Sequence, residues 1–394
     1  MPGPLDGYRV IDLTSMVSGP FATMMLGDQG AEVIKVESLG QGDHTRTGSN
    51  RSNGLASGFL NVNRNKRSLA VNLKDPRGRD ALLRLAESAD VFIQNFRPGV
   101  VERLGVAEPD IRAVSPEIVY VSINGFGETG PYAHKRVYDP IIQAASGLAS
   151  VQGGSDDARP RLVRTILPDK LTGVTAAQAV TAALLARERT GESQHVRLSM
   201  LDAVVSFLWA SDMGDQTFLE QAPTEQRAAS FIDLIYETKD GHMSVAVMSD
   251  REWVGLTRAL ERPEWLEDAR FRTPALRDEN IDDRLSLTQE VLRTRTTDEW
   301  MERLEAEGVP CAPVLTRSAL VEHPQVAAAG TLVEADHPVA GRLRQARPAA
   351  RFEATPSSIR RGAPMLGEQT DELLAEAGLS ASEIAALHDA GVVA

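Results

Sequence analysis

Residues 5–46 read LDGYRVIDLTSMVSGPFATMMLGDQGAEVIKVESLGQGDHTR, and no other stretch constrains the fold as much. A short apolar run from Tyr8 to Leu13 leads into a turn at Ser18-Gly19-Pro20. A helical run from Phe21 to about Asp28 follows. Gly30 stops it, and a second strand-forming run occupies Ala31 to Glu37. Strand, helix and strand in that order make the unit of a parallel sheet, because parallel neighbours need a crossover connection. The crossover turn carries no Gly-x-Gly-x-x-Gly fingerprint, which argues against a nicotinamide dehydrogenase. Backbone N–H groups at a strand–turn–helix junction still suit an anion or a thioester.

The alternation continues to about residue 205. Strands are expected at 9–13, 32–36, 68–72, 91–94 and 118–123, with another at 194–198. An amphipathic helix is expected at 76–88, with Asp75 as its cap and Pro76 in its first turn. Residues 169–189 form a long Ala-rich helix ended by Gly191, whose small side chains suit close packing. A further apolar helix spans 202–213. The character then changes. Residues 214–230 are polar, 231–248 contain a hairpin turning at Lys239-Asp240-Gly241-His242, and helices follow near 250–260, 281–294 and 297–307. This is a smaller α+β domain from about 225 to 325. Residues 331–362 are expected as loop and extended chain, and 370–377 and 380–389 as short helices.

A chain of 394 residues accommodates two domains. Its 42 Lys and Arg against 55 Asp and Glu give a net charge of −13. That balance argues against sequence-independent nucleic-acid binding and against an anionic membrane surface. Local cations can still hold an anionic small ligand. The lone Cys311 permits no intrachain disulfide, which points to a reducing cytoplasm. No signal-peptide pattern opens the chain, and no apolar run reaches the roughly 18 residues of a membrane span. The histidines lack ligand spacing, so no metal site is expected.

Several segments carry candidate chemistry. Asp169 follows Leu167-Pro168 and opens the Ala-rich helix, at its N-cap or first turn. Asp is a preferred capping residue. Capping is the first reading of the local sequence, and the functional alternative is a carboxylate nucleophile able to attack a thioester, which the helix dipole helps to keep ionised. Arg64, Lys66 and Arg67 lie just before a strand and read either as a solvated loop or as a phosphate clamp. Asn95-Phe96-Arg97-Pro98-Gly99 closes the strand VFIQ, and ligands bind beyond the carboxyl ends of such strands. Gly125 to Pro131 contains three glycines that allow a backbone close to a ligand. Lys135, Arg136, Tyr138 and Asp139 follow it.

Taken in order, LDGYRVIDLT, SGP, GAEVIKVE, NRNKRS, ADVFIQNFRPG, GFGETGP, YDPIIQAASG, PDKLTG and TGESQHV resemble the family III CoA transferases. This CaiB/BaiF type includes formyl-CoA transferase, carnitine CoA-transferase and α-methylacyl-CoA racemase. The resemblance covers roughly residues 5–205, and APV at 312–314, HPQ at 323–325 and PMLGEQTDELL at 364–374 extend it. It implies an α/β fold: a doubly wound, Rossmann-like large domain built from 1–205 and 330–394, and the small α+β domain at 225–325. It also implies an interlocked, ring-like homodimer. Coenzyme A would be a cosubstrate, with no tightly bound cofactor. The reaction would pass CoA from an acyl-CoA donor to a free carboxylic acid, through a mixed anhydride and then a thioester on Asp169. CoA contacts are implied at Val17 and Ser18, at Val71, Asn72, Leu73 and Lys74, and at Asn95, Phe96, Arg97 and Arg103. A last group is Arg136, Val137, Tyr138 and Asp139.

The chain departs from the formyl-CoA branch, which has Gln where Val17 stands, Arg where Ser38 stands, and a four-Gly loop where this chain reads AVMSDREWVG. Formyl-CoA and oxalate are therefore not expected as substrates. The racemase alternative needs a His–Asp pair where this chain has Tyr138-Asp139, with His134 off register. A CoA-binding homologue without turnover is a third reading, against which Asp169 speaks. Arg161 and Arg164 precede Asp169 and are placed to hold the second carboxylate of an acid such as succinate, or are plain surface charges.

Overall fold

The computed structural model describes residues 2–154, 156–220 and 234–394. Its chain divides into two compact units: 1–149, 161–217 and 330–394 make the larger, and 150–160 with 218–329 the smaller.

The larger unit is built on six parallel strands: β1 Arg9–Leu13, β2 Glu32–Glu37, β3 Lys66–Ala70, β4 Val91–Gln94, β5 Val119–Asn124 and β6 His195–Ser199. Their order is β3-β2-β1-β4-β5-β6. The chain winds outward in one direction from β1 and in the other from β4, so the switch point lies between those strands. Strand side chains are buried on both faces, as the covered faces of a parallel sheet require. One face packs Ile11, Ile34, Leu69 and Phe92 against helices α2 (Pro76–Ala86), α10 (Thr370–Glu376) and α11 (Ala381–Asp389). The other packs Val10, Val33, Val91 and Val121 against α1 (Ser18–Asp28) and α5 (Leu167–Thr190).

Several boundaries move for physical reasons. Ser18-Gly19-Pro20 is the first turn of α1 and not a loop before it, since a proline there removes no helical hydrogen bond. A side chain at Gly19 would meet Thr14 at 2.4 Å. β3 starts at Lys66, two residues before the expected Ser68, because the charges of Lys66 and Arg67 have acidic partners across the sheet. Asp75 caps α2 through the Arg77 N–H at 2.9 Å, as its sequence predicts. Residues 332–346, part of the segment expected as loop and extended chain, pair into an antiparallel ribbon of Leu332–His337 and Gly341–Ala346. Glu334, Asp336, Arg342 and Arg344 share one face, and the opposite face mixes Val333, Ala335 and Leu343 with His337 and Gln345, too polar a set to mark a half-buried hairpin.

In the smaller unit the hairpin of Ile235–Glu237 and His242–Val245 forms as expected, with His242 inside the strand, and pairs with Cys311–Pro313. The expected segment 231–233 lies outside the described residues. Helices α7 (Asp250–Ala259), α8 (Ile281–Leu292) and α9 (Thr297–Ala306) cover the sheet, the first and last opened by Ser249/Glu252 and Thr296/Glu299 capping boxes. Trp253, Trp265, Phe271 and Trp300 fill the core. No helix among the described residues is long and apolar enough to cross a membrane.

Candidate active site

The crossover turn after β1 sits at the switch point, and side chains from β1, from β2 and from the connections after β2 and β4 fix its backbone. Asp12 accepts the Thr14 N–H at 3.0 Å, and Lys35 Nζ donates to the Thr14 carbonyl at 3.0 Å. Asn95, just beyond β4, brackets Ser15: its Oδ1 accepts the Ser15 N–H at 2.9 Å and its Nδ2 donates to the Ser15 carbonyl at 2.8 Å. Asp43 accepts the Met16 N–H at 3.3 Å. Met16 is held at φ +69°, a left-handed conformation that costs a non-Gly residue energy and needs such support.

Beneath the turn lies a buried ionic cluster. Lys66 Nζ donates to Asp12 Oδ2, the Pro20 carbonyl and Asn63 Oδ1, each at 2.9 Å. Lys35 pairs with Asp43 at 2.9 Å, and Glu37 takes Arg46 in a fork at 2.8 and 2.7 Å. Burial raises the Asp12 pKa, but Lys66 and Lys35 outweigh it and carry it down to about 2. Arg64 pairs with Asp28, and Arg67 with Glu32 and Glu376. The run Arg64 to Arg67 is thus neither a solvated loop nor a phosphate clamp. Its cations are buried and bound to acids of the same unit.

Asp169 is half-buried in the first turn of α5, not at its N-cap, which is Ile166. Its N–H donates to Asp139 Oδ2 at 3.1 Å. Asp139 is buried at the start of helix α4 (Asp139–Ala145). Its Oδ1 accepts Gln143 Nε2 at 2.7 Å, and Gln143 Oε1 accepts the Val163 N–H at 2.8 Å. The segment entering α5 is therefore clamped to α4. Among the described residues no cation pairs with Asp169, and Lys170 turns its ammonium to Thr165 at 2.7 Å. Burial, and then the charge of Asp139, raises the Asp169 pKa to about 6.

The other expected contacts divide into two groups. Arg97, Arg103, Arg136 and Lys74 are exposed and have no acidic partner among the described residues, so they are available to phosphate. Arg103 lies over Gly99. Tyr138, the N-cap of α4, is 69% exposed, and its side chain makes no hydrogen bond among the described residues. Val137 packs where a side chain on Gly125 would stand. Val17 caps α1, and Ser18 follows it. The second group has structural partners. Val71 is in the apolar core and bridges Val393, Asn72 bonds Val392 and Lys74 through its backbone and side chain, and Leu73 and Phe96 pack on that core. Asn95 spends its amide on Ser15 and Asp139 lies beneath Asp169, so neither side chain has the free polar face expected of a CoA contact. Arg161 and Arg164 are exposed on the segment before α5.

Sequence reasoning missed Gln143, Lys35 and Gly173. The i, i+4 spacing of Asp139 and Gln143, and a lysine inside the apolar strand VIKVE, are the signals it offered.

A parallel doubly wound sheet with a fixed crossover turn at its switch point is a fold that many enzyme classes share, and likeness to known proteins gives the class. The chain matches the CoA-transferase family III model over residues 5–370, and it belongs to that family. It is 35% identical over 380 residues to a mouse succinyl-CoA:glutarate CoA-transferase, covering 95% of this chain and 86% of the relative. It is 31% identical over 420 residues to a formyl-CoA:oxalate CoA-transferase of Rhodopseudomonas palustris (strain BisA53), covering 100% and 98%. The crystal structure of a CaiB/BaiF family protein from Brucella suis superimposes with a TM-score of 0.83 at 30% identity, over 96% of this chain and 100% of that one.

Proposed function

We propose that the protein moves CoA from an acyl-CoA thioester to a free carboxylate with Asp169 as the covalent nucleophile. The observation that carries this reading is a half-buried carboxylate at a helix start, with no cation to hold it among the described residues and a pKa raised to about 6. At neutral pH such a group is mostly ionised yet poorly solvated, which favours attack on a carbonyl carbon. Its oxygen attacks the thioester, the C–S bond breaks, and CoA leaves as a thiolate from a mixed anhydride. The thiolate then attacks the Asp169 carbonyl, forming an aspartyl-CoA thioester and releasing the donor acid. The acceptor acid reverses both steps. Arg97, Arg103, Arg136 and Lys74 would hold the CoA phosphates. Coenzyme A enters and leaves as cosubstrate.

The relatives named for succinyl-CoA and glutarate support a short dicarboxylic acid as donor product or acceptor. Arg161 and Arg164 are candidates for its distal carboxylate. The family likeness supports an interlocked homodimer of two-domain subunits. Proton transfer of the racemase kind finds no support here, since Tyr138 stands exposed where that chemistry needs a histidine.

The test is intact-mass spectrometry after incubation with succinyl-CoA, with hydroxylamine trapping, on wild type and Asp169→Ala. A CoA or hydroxamate adduct on Asp169, absent in the variant, is expected. Binding of CoA without any adduct across a panel of acyl-CoAs would overturn the mechanism.

A further inference from the structure

Residues one α-helical turn apart share a face. On α5 that face runs from Asp169 through Gly173 to Ala176, Ala177 and Val180. Gly173 meets α1 at its first residue: a side chain there would lie 2.8 Å from the Ser18 carbonyl and 2.9 Å from Phe21. Ala176, Ala177 and Val180 share a core with Ala22 and Leu26 of α1. The two helices therefore run side by side in the same direction, and α5 starts one turn earlier. Asp169 overhangs the N-terminal end of α1, where the Ser18 and Gly19 N–H groups have no helical partner.

Ser18 is a second, independent observation. It is only 5% exposed, yet its hydroxyl has no hydrogen-bond partner among the described residues. Its Oγ is not fully occluded, so it keeps an opening from an otherwise buried residue, and a hydroxyl free at such an opening can donate to a ligand there. The Cα–Cβ bond of a helical residue tilts toward the helix N-terminus, so this hydroxyl faces the end that Asp169 overhangs. The bracketing of Ser15 and Met16 keeps that end from relaxing.

We propose that the Ser18 hydroxyl donates a hydrogen bond to the acyl oxygen as it becomes an oxyanion during attack by Asp169. The assignment rests on Asp169 being the nucleophile. As the Asp169–acyl C–O bond forms, the carbonyl electron pair moves onto oxygen, and Ser18 with the two N–H groups stabilises that charge. Collapse restores the carbonyl and expels the CoA thiolate. Ser18 keeps its proton throughout.

The experiment is single-turnover formation of the Asp169 adduct from succinyl-CoA, with the CoA dissociation constant measured separately by calorimetry. Ser18→Ala is expected to slow adduct formation at saturating substrate by about 100-fold, the usual effect of losing one oxyanion donor. CoA affinity should hold. Ser18→Gly, which leaves room in place of a methyl group, should slow it to the same extent. A wild-type rate in either variant, or a loss confined to CoA affinity, overturns the assignment. Absence of any adduct in wild type overturns the nucleophile itself, which Asp169→Ala run alongside identifies separately.

Discussion

Asp139 accepts the backbone N–H of Asp169 at 3.1 Å, so one acid positions the main chain of another while its charge opposes ionisation of the second side chain. A carboxyl whose pKa rises from 3.8 to about 6 on folding binds its proton more tightly in the folded state. Stability then falls as pH climbs through that window, and the penalty is complete above it. Asp169→Asn should therefore stabilise the protein at pH 7.5 by on the order of 1–3 kcal/mol, with the gain fading toward pH 4. Thermal unfolding at both pH values checks this, and an equal gain at each would refute it.

The same pKa sets an acid limb. Adduct formation should decline about tenfold per pH unit below roughly pH 6, because only ionised Asp169 attacks. Asp139→Asn removes the like charge and should shift the limb to lower pH. A limb that stays in place in that variant would exclude Asp139 as a source of the shift.

Gly173→Ala places a methyl group against the Ser18 carbonyl backbone, which cannot rotate away. A loss of about 1–3 kcal/mol is expected from this overpacking, together with slower adduct formation. Denaturant unfolding and single-turnover rates measure the two effects. Unchanged stability would mean that α1 and α5 approach less closely than described.

Lys66 is fully buried and its three bonds go to Asp12, Pro20 and Asn63. Removing one partner of such a pair strands the other charge. Lys66→Ala should cost about 3–5 kcal/mol. The wild-type pair also gives an acid signature. Asp12 has its folded pKa near 2, so its contribution is present above about pH 4 and disappears as pH falls toward 2. Urea midpoints of the variant, and of wild type across that range, are the readout.

Asn95→Ala frees both polar groups of Ser15, with an expected loss of about 1–3 kcal/mol and a higher KM for acyl-CoA. Asn95→Asp should be no milder, since its carboxylate keeps the bond to the Ser15 N–H and faces the Ser15 carbonyl without a donor. Steady-state kinetics with a saturating acceptor acid separates KM from kcat.

How much of this is legible in the sequence depends on what each residue does. The runs around β1, β2 and β4 announce the sheet because their apolar residues are local and continuous, whereas the helix start at Asp169 reads first as a cap and only the family resemblance singles it out. Lys35, Lys66 and Arg46 are equally present as letters, but their meaning depends on partners many residues away, and burial reverses what a run of charges ordinarily signifies. Much of the charge in the family motifs is structural: Asp12, Lys35, Glu37 and Lys66 belong to the ionic scaffold under the turn, while Arg64 pairs with Asp28 and Arg67 with Glu32 and Glu376 elsewhere in the same unit. The pairing of the ribbon at 332–346 is hard to see because its uncharged face mixes Val333, Ala335 and Leu343 with His337 and Gln345 and so gives no clear apolar stripe.

The larger unit is assembled from distant segments, and this has a consequence for the order of events during synthesis. The face that buries Ile11, Leu69 and Phe92 is completed by Leu373, Leu374, Ile384 and Leu387, and the edge beyond β3 by Val392 and Val393. On the ribosome the early strands must therefore wait while the whole smaller unit emerges, with an apolar face and an open edge uncovered. A nascent chain in that state is vulnerable to misassociation, and its folding should depend on chaperones and on the pace of translation more than that of a contiguous sheet.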